Sequence, residues 1–347
     1  MSWFKPHLER LTAYPYKKVE AGIKLDQNES PWDLPDELKE AALRRLRSLA
    51  WNRYPDMHAE SLRAAVARAE GWPEEGVVLA PGSNFLVLAL SLMARQVLDT
   101  APSFAWYQGA AQVSGAPYRA VRLGEGFDLP LAALLDAMDG PPGALFLPNP
   151  HAPTGRLFEE GAVRSLAARA AERGWLLVVD EAYQAFAGSD HRALARGQAQ
   201  VALLRTFSKA WRLGGVRAGY LLAAPEVAGR VQAVLPPFCI PLPTQAVLEA
   251  ALSAPEEARR SAERLAAERE RVFRELSRHG SWRPHPSRAN FLLVRTPDAE
   301  AAFRGLLSRG ILVRRQDHLP GCQGCVRVSV GTPEENDAFL SAALALG

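Results

Sequence analysis

VALLRTFSKAWRLGGVRAGY runs from Val201 to Tyr220. Its opening, VALL, is a short unbroken apolar run of the kind that forms a strand buried on both faces, and such strands belong to parallel sheets. The run stops at RTFSK, so Lys209 stands just past the end of a buried strand, among Thr206, Ser208, glycines and aromatics. Lysines are mostly exposed charges, and one at a strand end beside hydroxyls is unusual. Burial and a neighbouring cation lower a lysine pKa and make the amine a nucleophile fit for Schiff-base chemistry. Thr206, Ser208 and Arg217 add two hydroxyls and a guanidinium suited to a phosphate. Taken alone, the segment fits a surface lysine after a strand equally well.

Outward from it the pattern repeats. GVVLAPG (Gly76–Gly82), QVLDTAPSF (Gln96–Phe104), PYRAVRL (Pro117–Leu123), GALFLPNP (Gly143–Pro150), WLLVVDEAY (Trp175–Tyr183) and AGYLLAA (Ala218–Ala224) are apolar runs, with helical stretches such as Glu159–Arg173 between several of them. This alternation predicts an α/β fold with a mostly parallel sheet covered by helices on both faces. Before it, the first forty or so residues are irregular and proline-punctuated. Helices are expected from Pro35 to about Ala50 and from about Met57 to Glu70. From about Ala254 the pattern changes to one long amphipathic helix, EEARRSAERLAAERERVFRELSRHG, ended by Gly280. Three strand-like runs, NFLLVR, ILVRRQ and VRVSVG, follow, with a helix between the first two. The chain thus divides into an N-terminal segment 1–40, a large domain 41–250 and a small C-terminal α/β domain 251–347. A length of 347 residues agrees with two domains, because single cores stop growing at roughly 250–300 residues.

Composition excludes several classes. The net charge is only +3 and no run of Lys or Arg forms a nucleic-acid patch. No apolar stretch reaches the ~20 residues of a membrane span, and MSWFKPHLERLTAYPYKK has no apolar signal-peptide core, so a cytoplasmic protein is expected. Cys322 and Cys325 form a lone C-x-x-C with no second ligand pair, which reads as small residues in the turn before a strand Val326–Val330 rather than a metal site. No G-x-G-x-x-G follows the first strand and no G-x-S-x-G is present, which argues against dinucleotide enzymes and hydrolases.

In open α/β sheets ligands collect at the carboxyl ends of strands. After WLLVV stands Asp180, whose burial demands a partner. A pyridinium N–H is one such partner and an arginine another. Tyr183, three residues on, could donate to a ring oxygen. After GVVLA, Pro81-Gly82-Ser83-Asn84 opens an apolar helix and so presents free N–H groups to an anion, although Ser or Asn at a helix start is also structurally routine. In APSFAWYQG, Tyr107 could stack on a ring or serve packing. Together these segments offer an amine, a carboxylate for a ring nitrogen, a phosphate cup and an aromatic.

These residues resemble the fold-type-I aminotransferases and, within them, the histidinol-phosphate aminotransferase family. The segments that carry the resemblance are LTAY (Leu11–Tyr14), KLDQNESP (Lys24–Pro31), RYPD (Arg53–Asp56), PGSN (Pro81–Asn84), PSFAWY (Pro102–Tyr107), NPHAPTG (Asn149–Gly155), VVDEAY (Val178–Tyr183), RTFSKAWRLGGVRAGY (Arg205–Tyr220), ANFLLV (Ala289–Val294) and VRVSVGTPEEN (Val326–Asn336). The resemblance implies pyridoxal 5'-phosphate as cofactor, held by Lys209 as a Schiff base, with Asp180 on the pyridine nitrogen, Tyr183 on the phenolic oxygen and Tyr107 stacked on the ring. It implies that Ser83, Asn84, Ser208 and Arg217, supported by Thr206, hold the phosphate. Tyr54 reaches the phosphate of a neighbouring subunit's cofactor, which makes the protein a homodimer with shared sites. Arg327 grips the anionic group of the substrate, with Tyr14 and Asn28 nearby.

The implied reaction is ping-pong transfer of the amino group of histidinol phosphate to 2-oxoglutarate. The alternatives are a broad or aromatic amino-acid aminotransferase and, further off, a phosphothreonine-type decarboxylase of the same fold. Three positions depart from the family pattern. Ala152 replaces an asparagine that bonds the phenolic oxygen, so the bound cofactor is expected to titrate differently, with Tyr183 carrying more of the burden. His151 beside it is expected to face solvent. Phe85 replaces an acidic residue after the phosphate turn, with little effect expected. Ala338 stands where relatives often carry a second arginine, which weakens a phosphorylated substrate unless Arg288, Arg314 or Arg315 substitutes.

Overall fold

The computed structural model describes residues 3–9, 11, 19–278 and 280–347. Its strands in chain order are β1 (Ile23–Lys24), β2 (Val77–Ala80), β3 (Val97–Ala101), β4 (Tyr118–Arg122), β5 (Ala144–Pro148), β6 (Leu176–Asp180), β7 (Val201–Thr206), β8 (Gly219–Leu222), β9 (Arg283–Pro284), β10 (Phe291–Arg295), β11 (Ile311–Leu312), β12 (Arg314–Arg315) and β13 (Cys325–Ser329). Seven of them form the main sheet in the order β2-β8-β7-β6-β5-β3-β4. It is parallel except for β8, which runs against both its neighbours.

The apolar runs explain the layering. Leu145, Leu147, Leu177, Val179 and Leu203 face one side with Leu166 of the helix Glu160–Arg173. Phe146, Val178, Ala202 and Leu204 face the other, with Leu86 and Leu90 of the helix Ser83–Met93 and Val231 of the helix Pro225–Val234. Successive strand residues point to opposite faces, so a run that is apolar at every position needs helices on both.

The second sheet is antiparallel, β12-β13-β10-β9, and packs on the long helix and the helix Ala299–Leu307, with Phe339 of the C-terminal helix Pro333–Leu346 in the same core. The long helix spans Pro255–Ser277 and ends short of Gly280, with Arg278 in helical conformation at its C-cap. ILVRRQ is not one strand. Ile311–Leu312 pairs in parallel with Ile23–Lys24, whereas Arg314–Arg315 pairs with β13, and buried Val313 marks the break. Strands β1 and β11 thus form a separate two-stranded sheet, and the Ser329 N–H donates to the Leu25 carbonyl at 2.9 Å, which ties the N-terminal segment to β13. The last strand begins at Cys325, one residue earlier than expected, and both Cys322 and Cys325 are buried in apolar contact with the main core.

Candidate active site

β6 and β7 are neighbours in register, so their carboxyl ends bring Asp180 and the RTFSK turn together. Behind them, buried Arg205 donates to Glu181 at 2.7 Å, to Glu70 at 2.5 Å and to Asp190 at 3.2 Å. This ion-pair cluster ties both strand ends to the end of the helix Glu60–Glu70. Breaking one partner of such a buried set is costly, so the positions of Asp180 and Lys209 are firmly fixed.

The phosphate-cup expectation rests on close backbone approach. Gly219 lies beneath the turn before the helix Ser83–Met93, and a Cβ there would come within 2.5 Å of the Ser83 nitrogen. Gly82 has φ +85°, and a Cβ on it would meet the Arg217 guanidinium at 2.6 Å. Arg217, itself left-handed at φ +58°, donates to the Gly214 carbonyl at 2.7 Å and to Ser208 Oγ at 3.4 Å. Thr206 Oγ1 accepts from the Ser208 N–H at 3.1 Å. The helix start, two hydroxyls and a guanidinium thus converge on one spot, an anion site by dipole and donor count.

From this spot a cavity of about 460 Å³ runs past Phe104, Ala182 and Asp180 to Lys209. Lys209 Nζ donates to the Gln27 carbonyl at 3.0 Å. Burial, then Arg327, Arg217 and Lys24, push its amine down to about 8, against Glu29. Asp180 Oδ1 accepts from the Ala182 N–H at 3.0 Å and Oδ2 from the Tyr107 hydroxyl at 2.6 Å. Burial pushes its carboxyl up to about 6 despite these donors. Tyr183 receives a hydrogen bond from Asn28 Nδ2 at 3.0 Å. Asn28 in turn is pinned by Ser329, whose Oγ accepts from its N–H at 2.8 Å.

A second cavity, about 420 Å³, meets the first at Lys209, Phe104 and Ala152. Arg314, Gln316, His318 and Arg327 line its far side. Arg314 and Arg327 are direct cross-strand partners of β12 and β13. Arg327 donates to the Asp26 carbonyl at 2.7 Å.

Two expectations need correction. Tyr107 stands in the cavity wall but is fully buried, with one ring face stacked on Phe146 at 4.9 Å and 9° and its hydroxyl spent on Asp180. The half-buried ring at the wall is Phe104, edge-on to Tyr107 at 5.5 Å. Nothing in PSFAWY distinguishes these rings until the helix Ala105–Ser114 sets their directions. His151 does not face solvent. It is fully buried, with Nε2 at 3.1 Å from Thr100 Oγ1 and Nδ1 at 2.8 Å from Thr154 Oγ1, and burial pushes its pKa down to about 3. A loop that folds back under the sheet edge hides it.

Of the remaining residues, Tyr54 is 83% exposed, stacked on Phe238 and away from both cavities. Tyr14 lies outside the described residues. Ala338 packs against the core of the smaller sheet and borders neither cavity. Arg315 is engaged by Glu300 and Asp317, and Arg288 lines a separate cavity against the long helix. That leaves Arg314 as the second guanidinium beside Arg327. Gln27 and Ala182 also went unnoticed in the sequence, since one acts through its carbonyl and the other through its N–H. No helix among the described residues is long and apolar enough to cross a membrane.

Comparison with known proteins agrees with this geometry. Residues 20–342 match the family model "Aminotransferase class I and II". A histidinol-phosphate aminotransferase of Deinococcus radiodurans is 47% identical over 97% of this chain and 94% of its own length. One from Aquifex aeolicus is 34% identical over 96% of this chain and 95% of its own. Among solved structures, the histidinol-phosphate aminotransferase of Sinorhizobium meliloti in complex with pyridoxal-5'-phosphate superposes with a TM-score of 0.88 at 24% identity, over 100% of this chain and 98% of that one.

Proposed function

This chain belongs to the class I and II aminotransferases, and from that premise we propose that it is a pyridoxal-phosphate enzyme that moves the amino group of histidinol phosphate to 2-oxoglutarate. The observation that carries the reading is a pair of cavities sharing Lys209, Phe104 and Ala152 in their walls, so that the Lys209 amine stands between an anion cup and an opposed pair of arginines.

The residues fit the cofactor. The cup at Ser83, Asn84, Ser208 and Arg217 suits its phosphate, Asp180 its ring nitrogen, Phe104 and Ala182 its two faces, Tyr183 its phenolic oxygen and Lys209 its aldehyde carbon. When bound, the group supplies an electrophilic carbon for amines and a ring that draws electrons from the substrate Cα–H bond. The protein's own part is orientation and proton traffic. With the cofactor bound, the free Lys209 amine would take the substrate Cα proton and hand it across the nitrogen to the former aldehyde carbon. An amine near 8 is suited to both directions of that transfer at neutral pH. Asp180 keeps the ring N–H in place. Ala152 offers no hydrogen bond to the phenolic oxygen, which leaves Tyr183, held by Asn28, as the donor on that side. Arg327 and Arg314 grip the substrate phosphate, a dianion that two guanidiniums hold better than one, and then the 2-oxo acid's far carboxylate.

Tyr54, exposed on RYPD, is taken to complete the phosphate cup of a second copy, so the working unit is a homodimer. The same reading keeps the division at 1–40, 41–250 and 251–347 and a cytoplasmic location. The experiment is a single turnover followed in the visible band of the bound cofactor. Histidinol phosphate is expected to abolish the band at micromolar to millimolar concentration, and phenylalanine to leave it largely intact. A response to phenylalanine alone overturns the substrate in favour of an aromatic aminotransferase. Release of carbon dioxide from phosphothreonine overturns it in favour of a decarboxylase.

A further inference from the structure

We infer that Tyr107 is a positioning residue whose phenol keeps the Asp180 carboxylate aimed and ionised toward the ring nitrogen, an inference that rests on the cofactor reading above. Asp180 is a buried acid at the floor of the cavity, and among the described residues no lysine or arginine forms an ion pair with it. Its one charged neighbour acting on it, Glu181, is of the wrong sign. Glu181 is adjacent in sequence and raises the Asp180 pKa further, while Asp99, whose own carboxyl burial pushes up to about 8, bonds Ser103 and Tyr118 rather than Asp180. Two donors oppose the cost of its charge, the Ala182 N–H at 3.0 Å and the Tyr107 hydroxyl at 2.6 Å. The second is the shorter, and hydrogen bonds to an ionised acceptor are the strong ones.

The geometry makes the bond directional. Tyr107 is clamped between Phe146, stacked at 4.9 Å, and Phe104, edge-on at 5.5 Å. Its helix Ala105–Ser114 packs on the helix Ser83–Met93 that opens at the phosphate cup. The ring therefore cannot follow Asp180 if the carboxylate turns, and it fixes one oxygen while the other faces Ala182. A carboxylate has about four acceptor directions, so two remain for a ring N–H from the cavity side. Burial raises the Asp180 pKa toward 6, and the Tyr107 bond acts against that rise.

The test is Tyr107→Phe, which keeps the stacking and removes the donor. Pyridoxal phosphate affinity is measured by tryptophan-fluorescence titration across neutral and mildly acidic pH, beside the melting temperature of the cofactor-free protein. The melt is expected to stay near wild type. The acid limb of binding, where Asp180 takes up a proton, is expected to move up by about one pH unit, a roughly fivefold loss of affinity near pH 6 that approaches tenfold below it and closes at alkaline pH. In the Asp180→Asn background the same change is expected to have no pH-dependent effect. Incorporating 3-fluorotyrosine at position 107, a stronger donor, is expected to move the limb down. A Tyr107→Phe profile that superimposes on wild type, or a loss of affinity equal at every pH, overturns the inference. If Tyr107→Phe does not fold, an unmoved limb with fluorotyrosine overturns it instead. If wild type itself binds no pyridoxal phosphate, the cofactor reading fails, which is a separate outcome.

Discussion

Arg314 and Arg327 stand directly opposite each other on adjacent antiparallel strands, at the wall of the cavity that ends at Lys209. Like charges in this relationship repel and cost stability. On the proposed reading a substrate anion between them offsets that repulsion. It also answers the missing arginine at position 338, where Ala338 is packed in the smaller core and borders neither cavity.

Arg314→Gln is therefore expected to raise KM for histidinol phosphate by about tenfold to a hundredfold, a loss of a charge-assisted bond, with a smaller change in kcat. Steady-state kinetics with a phosphorylated and an unphosphorylated donor check this. The unphosphorylated donor should be much less affected.

The amine of Lys209 is held down to about 8 from the ordinary 10.5, first by burial and then by Arg327. In cofactor-free protein, reductive methylation at Lys209, mapped by mass spectrometry, should rise through pH about 8 and level off, because the neutral amine is the reactive form. Exposed lysines should continue to rise to higher pH. Arg327→Gln removes a cation, so its midpoint should move upward.

Gly219→Ala places a methyl within 2.5 Å of the Ser83 nitrogen and 3.0 Å of the Arg205 carbonyl. Both contacts are backbone and cannot give cheaply. The phosphate cup should open, with pyridoxal-phosphate affinity falling about tenfold or more by equilibrium dialysis.

His151 is buried as a neutral base, with its pKa pushed from 6.5 down to about 3. The unfolded chain takes up a proton below 6.5 and the folded one does not. The stabilisation is present above pH 6.5 and is lost progressively as pH falls toward 3. Between 6.5 and about pH 5 the loss is about 2 kcal/mol. His151→Asn has no such slope, so its melting temperature should fall less than wild type on acidification. Parallel falls would contradict the burial argument.

The sequence made the sheet legible because its inner strands β5, β6, β7 and β8 are apolar over three or more consecutive positions, a signal that depends on no partner. Lys209, Asp180 and the PGSN turn were legible because polar residues broke those runs at the strand ends. The roles of Phe104 and Tyr107 could not be told apart because three aromatics lie within four positions and all three line the cavity, Tyr107 with its hydroxyl on Asp180 and Phe104 as the half-buried ring. His151 was misread because polarity in a proline-rich loop suggests solvent, whereas Thr100 and Thr154 satisfy its ring in the interior. The split of ILVRRQ was hidden because its partners, β1 and β13, are almost the whole chain apart.

The most direct measurement is borohydride reduction of the purified protein after incubation with pyridoxal phosphate, followed by peptide mapping. A pyridoxyl group on the peptide that contains Lys209, at close to one per chain, is the expected result. Its absence from that peptide, or its spread over surface lysines, would contradict the assignment of Lys209 and everything built on it.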